Sequence, residues 1–165
     1  MIQASTPLKV VTTEMQSGKD YRPRGTATWQ LLNIEIDYIH IKENKFWGFA
    51  YEWVNKWHRV PITNPERTIL ALIIRSDLFG GILMAIETIN TNLEKINLPK
   101  LVNYAIRNGV GSYIKRPGWI LEISGIQDDI LHPLLDYRTW NYYLLKPRGQ
   151  KQGSPIVLWK LYNNL

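Results

Sequence analysis

Apolar positions change their spacing twice along this chain. Within Phe46 to Trp53, the residues Trp47, Phe49, Tyr51 and Trp53 alternate with Gly48, Ala50 and Glu52. That period of two predicts a β-strand with one wholly aromatic face, and burial in a core is the ordinary use of so large an apolar surface. Upstream, Leu8 to Thr13 is a short β-prone run. Leu31 to Ile41 places Ile34 and Ile36 on one parity but Ile39 and Ile41 on the other, which predicts a bulge or tight turn near Asp37 and Tyr38. Residues 6 to 62 therefore read as strands.

From residue 64 the spacing lengthens to three and four. Asn64, Pro65 and Glu66 supply an N-cap, a proline at the first helical position and an acid in the first turn. The helix they open runs to about Ser76 and carries Ile69, Leu70, Leu72, Ile73 and Ile74, too apolar around its circumference for a surface helix. After Gly80 and Gly81, a second stripe joins Ile82, Ala85, Ile86, Ile89 and Leu93. A third helix, Leu98 to Arg107, ends where Gly109 can adopt a left-handed cap. Ser112 can cap a fourth running to Ser124, with Pro117 expected to kink or split it. A fifth spans Asp128 to Tyr137, interrupted by Pro133. Tyr142 to Leu145 and Ile156 to Tyr162 then read as a long hairpin across the polar segment 146–155. The predicted class is α+β: one domain over residues 1–165, with amino-terminal and carboxy-terminal strands in one mostly antiparallel sheet against four to five helices.

Charge adds a candidate surface. The chain of 165 residues has a net charge of +6, and residues 30 to 140 balance to zero. The excess lies in two terminal segments, with Lys19, Arg22 and Arg24 in one loop and Lys146, Arg148 and Lys151 in another. If the strands bring these loops together, six cations form a patch for phosphates or an acidic partner; otherwise they are solvated loops. The absence of cysteine excludes a disulfide framework and a thiolate zinc site. Met1 to Val11 carries only Lys9 as a cation and no apolar run like that of a signal peptide, and no stretch is apolar enough to span a membrane. A cytoplasmic location is the expectation.

Catalytic patterns are missing. His40, His58 and His132 lie too far apart for a helical zinc pair, and no lysine follows Gly80 and Gly81 as a phosphate loop needs. Gly111-Ser112 and Glu35-Ile36-Asp37 stand in the wrong order for a nucleotidyltransferase. Glu43-Asn44-Lys45, with Asp20 or Asp37 upstream, has the spelling of a metal-dependent nuclease, but 42–45 reads more simply as a polar hairpin tip. Gly48, Phe49, Ala50 and Tyr51 partly resemble the core signature of an RNA-recognition motif, which Trp47 and Glu52 break. The residues predict binding rather than catalysis, with no cofactor and no metal.

A set of blocks in fixed order points further. Trp47-Gly48-Phe49 leads to Trp57-His58-Arg59-Val60-Pro61-Ile62, then to Thr63-Asn64-Pro65-Glu66-Arg67-Thr68-Ile69-Leu70. Leu78-Phe79-Gly80-Gly81, Leu101-Val102-Asn103-Tyr104-Ala105, Arg116-Pro117-Gly118-Trp119-Ile120-Leu121-Glu122 and Trp159-Lys160-Leu161-Tyr162-Asn163 follow. Over about residues 46 to 163 the chain resembles the carboxy-terminal domain of the AbiEi family of antitoxins and transcriptional regulators from type IV toxin-antitoxin systems. Ala71 stands where that signature ends in aspartate, Pro117 replaces an aliphatic, and no segment resembles the family's winged helix. The resemblance implies a regulatory, non-enzymatic antitoxin domain that counteracts a nucleotidyltransferase toxin and supports repression of its operon. Its partners would be that toxin and nucleic acid, either operator DNA or RNA. The signature residues Asn64, Pro65, Glu66, Arg67 and Thr68 have a reading of their own as the cap of the buried helix.

Overall fold

The computed structural model describes residues 8–12, 27–31, 34–40, 43–126 and 129–165, with side chains from residue 44 onward. Helices and strands segregate along the chain, so the fold is α+β. The chain forms two compact units, Met1–Trp47 and Gly48–Leu165.

In the first unit, β1 (Leu8–Thr12), β2 (Ala27–Leu31) and β3 (Ile34–His40) form a sheet in the order β1-β3-β2. β1 runs parallel to β3 and β2 antiparallel to it. The register is unbroken from Leu8↔Ile36 to Thr12↔His40 on one side and from Ala27↔Tyr38 to Leu31↔Ile34 on the other. The bulge expected near Asp37 is therefore absent. A centre strand is not bound to one apolar parity, so the change at Tyr38 needs no kink. Glu43–Lys45 is a single 3-10 turn. It is a turn, as expected, but no hairpin tip, because β3 pairs with β1 and β2 rather than with the strand that follows.

The second unit opens with a ribbon, β4 (Phe49–Trp53) antiparallel to β5 (Arg59–Thr63). Then come α1 (Pro65–Ile74), α2 (Ile82–Asn92), α3 (Leu98–Asn108) and α4 (Gly111–Ile123). α1 is the central helix and packs on the other three. Ile69, Leu70, Ile73, Ala85, Ile89, Leu101, Ala105, Ile114 and Leu121 fill the core between them. Asn64 caps α1 as its sequence predicts, its Oδ1 accepting from the Arg67 amide at 3.0 Å. Asn97 caps α3 in the same way through Lys100, and Gly109 closes that helix at φ 67°.

Several expectations are corrected here. α4 starts at Gly111 after Val110 rather than at a Ser112 cap, and it runs unbroken through Pro117. Every residue from Ile114 to Gly118 is buried, so packing on several sides holds the helix together despite the lost hydrogen bond. α5 shrinks to one turn, His132–Leu135, with Pro133 in its first turn. The last strands also differ, since β6 (Tyr143–Leu144) lies parallel to β8 (Leu161–Asn163), and β7 (Ser154–Ile156) lies antiparallel to β8. The hairpin is thus β7–β8, with β6 on the far side of β8. Among the described residues, β4–β5 and β6-β8-β7 are separate sheets and neither includes a strand of the first. Among the described residues the expected single sheet does not form, and each terminal group of strands pairs locally. Among the same residues, no helix is long and apolar enough to cross a membrane.

Candidate binding surfaces

Trp47 is buried, but the aromatic row after it points to water. Gly48, at φ 82°, turns the chain into β4, and its amide oxygen accepts from the Asn64 N–H at 2.9 Å to close the root of the ribbon. The side-chain stem of Arg67 lies where a Cβ at Gly48 would need to be. Beyond that root the ribbon stands clear. Tyr51 is 66% exposed, Trp53 64% and Trp57 84%. Burial was the expectation for this face; Trp47 meets it and Phe49 is half-buried, but Tyr51 and Trp53 are not, because alternation reports a two-faced strand without saying which face meets the core.

The exposed face is organised. Arg59 lies directly opposite Trp53 in the register, and its guanidinium carbon is 5.2 Å from the Trp53 ring and 5.4 Å from the Tyr51 ring. Those distances allow cation–π attraction to both rings at once. At the tip, Asn55 Oδ1 accepts from the amides of Trp57 at 2.8 Å and His58 at 2.9 Å, so the turn carrying Trp57 is fixed by a side chain. Val60 and Ile62 on the opposite face are also exposed. Beside the root, a groove of about 300 Å³ runs along α1 and α2, lined by Thr68, Ile69, Leu72, Thr88 and Asn92.

Of the signature residues only Glu66 is fully buried, and most of the others are held by hydrogen bonds to their neighbours. Glu66 is buried at the start of α1, where Oε1 accepts from the Asn97 amide at 3.0 Å and Oε2 pairs with Lys100 Nζ at 3.0 Å. Burial works to raise its pKa, but the Asn97 and Lys100 contacts outweigh it and the carboxyl titrates below the ordinary glutamate range. This carboxylate ties the first turns of α1 and α3 together. Asn64 Nδ2 donates to the Tyr104 hydroxyl at 3.0 Å, and Thr63 Oγ1 meets Thr68 Oγ1 at 2.7 Å. Pro65 is exposed at the helix start, and burial pushes the half-buried Arg67 guanidinium below its usual pKa.

Of the six terminal cations, Lys19, Arg22 and Arg24 lie outside the described residues. Lys146, Arg148 and Lys151 share one exposed loop. Asn164 pins it: the Lys146 amide donates to Asn164 Oδ1 at 2.8 Å, and Asn164 Nδ2 donates to the carbonyls of Lys146 at 3.1 Å and Gln150 at 3.2 Å. Arg148 reaches Asp77 Oδ2 at 3.4 Å, while Arg75 grips the same carboxylate with Nε and Nη2, both at 3.2 Å. Burial works to raise the Asp77 pKa, but Arg75 and Arg148 hold it below its ordinary value. Sequence spacing does not show this grouping, because Arg148 joins Asp77 only through the tertiary fold.

Two further cations sit inside. Lys115 Nζ donates to the carbonyls of Leu134 at 2.9 Å and Leu135 at 2.7 Å, capping α5. Arg116 Nε donates to the Leu144 carbonyl at 2.7 Å. Burial lowers the pKa of both. His58 Nδ1 is 3.1 Å from Asn55 Oδ1, and His132 Nδ1 is 3.6 Å from Asp129. Among the described residues no three histidine or carboxylate side chains converge as metal ligands. No protein-family model, curated protein or solved structure matches the chain.

Proposed function

We propose that the protein is a regulatory antitoxin domain of the AbiEi kind, which counteracts a nucleotidyltransferase toxin and supports repression of its operon through surface binding. The observation that carries the binding role is the ribbon β4–β5, with Tyr51, Trp53 and Trp57 presented to solvent around Arg59. A two-stranded ribbon is marginal in water, and one with apolar residues exposed on both faces is stabilised by whatever covers it. Tryptophan, tyrosine and arginine are also the residues that carry most binding energy at protein interfaces. The antitoxin reading is supported by the order of the blocks, all but the first of which lie wholly within the unit Gly48–Leu165. Several of their residues, including Asn64, Glu66, Arg116, Gly118 and Trp159, hold that unit together.

Co-expression with a nucleotidyltransferase encoded beside its gene tests the proposal. The expected result is restored growth with the parent protein and none with the doubly substituted Trp57→Ala, Arg59→Ala variant, at equal soluble levels. Growth arrest that the parent does not relieve overturns the antitoxin role. Full relief by the variant removes the ribbon from it.

A further inference from the structure

Asp77 gathers more positive charge than it neutralises. Two arginines grip its carboxylate, Arg75 from the turn after α1 and Arg148 from the loop before β7. Two guanidiniums thus meet at one carboxylate, whose side chain is only 14% exposed. Lys146 and Lys151 flank Arg148, and no acidic residue follows Asp136 in the chain. The surplus is local and has no internal counter-charge on the loop.

Geometry sets this cluster apart from loose surface lysines. Asp77 engages Arg148 through Nε, which leaves its two Nη groups on a side chain 76% exposed. An arginine held by one edge presents the other as a fork that matches two oxygens of a phosphate. The loop is already fixed by the three Asn164 hydrogen bonds, so a ligand binding there orders little that was free. Gly149 packs against the Asn164 amide, where a Cβ would collide with it.

We propose that Arg75 and Arg148, set by Asp77 and flanked by Lys146 and Lys151, form a site for successive phosphates of a nucleic-acid backbone. The site is distinct from the aromatic ribbon and does not depend on the antitoxin reading. It takes Arg148 from the six terminal cations and joins it to Arg75 at a carboxylate. Asp77 acts as a positioning residue that holds the Nε–Nη2 edge of Arg75 and stands beside Nε of Arg148, and specificity for base sequence is not expected from backbone contacts.

Fluorescence anisotropy with a labelled DNA duplex and an RNA hairpin of unrelated sequence, at about 50 to 200 mM salt, tests this. The full chain should bind both probes, with affinity falling steeply as salt rises. The doubly substituted Arg75→Ala, Arg148→Ala variant should lose about two from the logarithmic salt slope and about tenfold or more in affinity at the lower salt. Arg148→Lys keeps the charge but not the fork and should fall between the two. Lys95→Ala, an exposed cation on the α2–α3 connection, serves as the control, and melting curves confirm that each variant folds. Equal slopes for the double variant and the control overturn the site. So does a parent that binds neither probe but captures an acidic protein through the same arginines.

Discussion

The indole of Trp159 lies across α4 where any side chain at position 118 would stand, and its Nε1 donates to Glu122 Oε2 at 2.7 Å one turn further along the helix. Gly118 and Trp159 are therefore two halves of one joint. A Cβ on Gly118 would collide with the six-membered ring of an indole that is fully buried. Gly118→Ala is expected to lower stability by about 1–3 kcal/mol or more, despite alanine's better helix propensity. Urea unfolding followed by tryptophan fluorescence checks this; an unchanged or raised midpoint contradicts the joint.

Glu66 makes stability depend on pH in one direction. Its folded pKa lies below the unfolded value, so its contribution is complete above the unfolded glutamate pKa and drains away as pH falls through the folded one. Glu66→Gln should be less stable than the parent at neutral pH, and the gap should close on acidification below about pH 4.3. Glu66→Ala leaves the Asn97 amide without its acceptor and should cost about 1–3 kcal/mol. Urea midpoints across that pH range give the answer, and a constant gap contradicts the assignment.

The buried Lys115 predicts a trend of the same sign in the alkaline range. Burial lowers its folded pKa, so between the two pKa values the unfolded chain holds more protons and stability rises with pH. Relative to Lys115→Met, the parent should gain as pH climbs toward about 10.4. At neutral pH, Lys115→Met should still lose about 1–3 kcal/mol because the carbonyls of Leu134 and Leu135 lose their donor. Paired melts of the two proteins from neutral to alkaline pH test both parts.

Stability and binding should separate at the ribbon. Trp57 is almost fully solvated, so Trp57→Ala is expected to change stability by no more than about 0.5 kcal/mol. Asn55→Ala removes the acceptor for two tip amides and should loosen the turn without unfolding the helices. Both should weaken relief of toxicity in co-expression, Trp57→Ala more than Asn55→Ala. Melting temperature and growth measured on the same variants show whether the two properties part.

Local signals were legible where they were strong. Asn64-Pro65-Glu66 announced α1, Gly109 announced the end of α3, and the apolar circumference of residues 69–74 announced a central helix. At α4 the split that Pro117 can cause does not occur, because the surrounding core keeps the helix continuous where a proline normally breaks it. The carboxy-terminal strands have two or three residues each, too few for a period to show their pairing. At the candidate sites, Lys146, Arg148 and Lys151 were visible as a basic loop, whereas nothing in the spacing of Arg75 and Asp77 linked them to it. Alternation revealed the aromatic strand, but it carries no information on which side faces water.

The joint at Gly118 also orders events in time. α4 buries Lys115, Arg116 and Gly118, yet the groups that satisfy them come from Leu134, Leu135, Leu144 and Trp159, all made later on the ribosome. A nascent chain that has reached only the end of α4 holds two cations and an open groove where the finished protein has a core. α1, α2 and α3 can pack with one another before that point, but the unit closes only when the segment carrying Trp159 arrives. Such a chain passes through an interval with apolar surface uncovered, when chaperones and proteases have their best access to it.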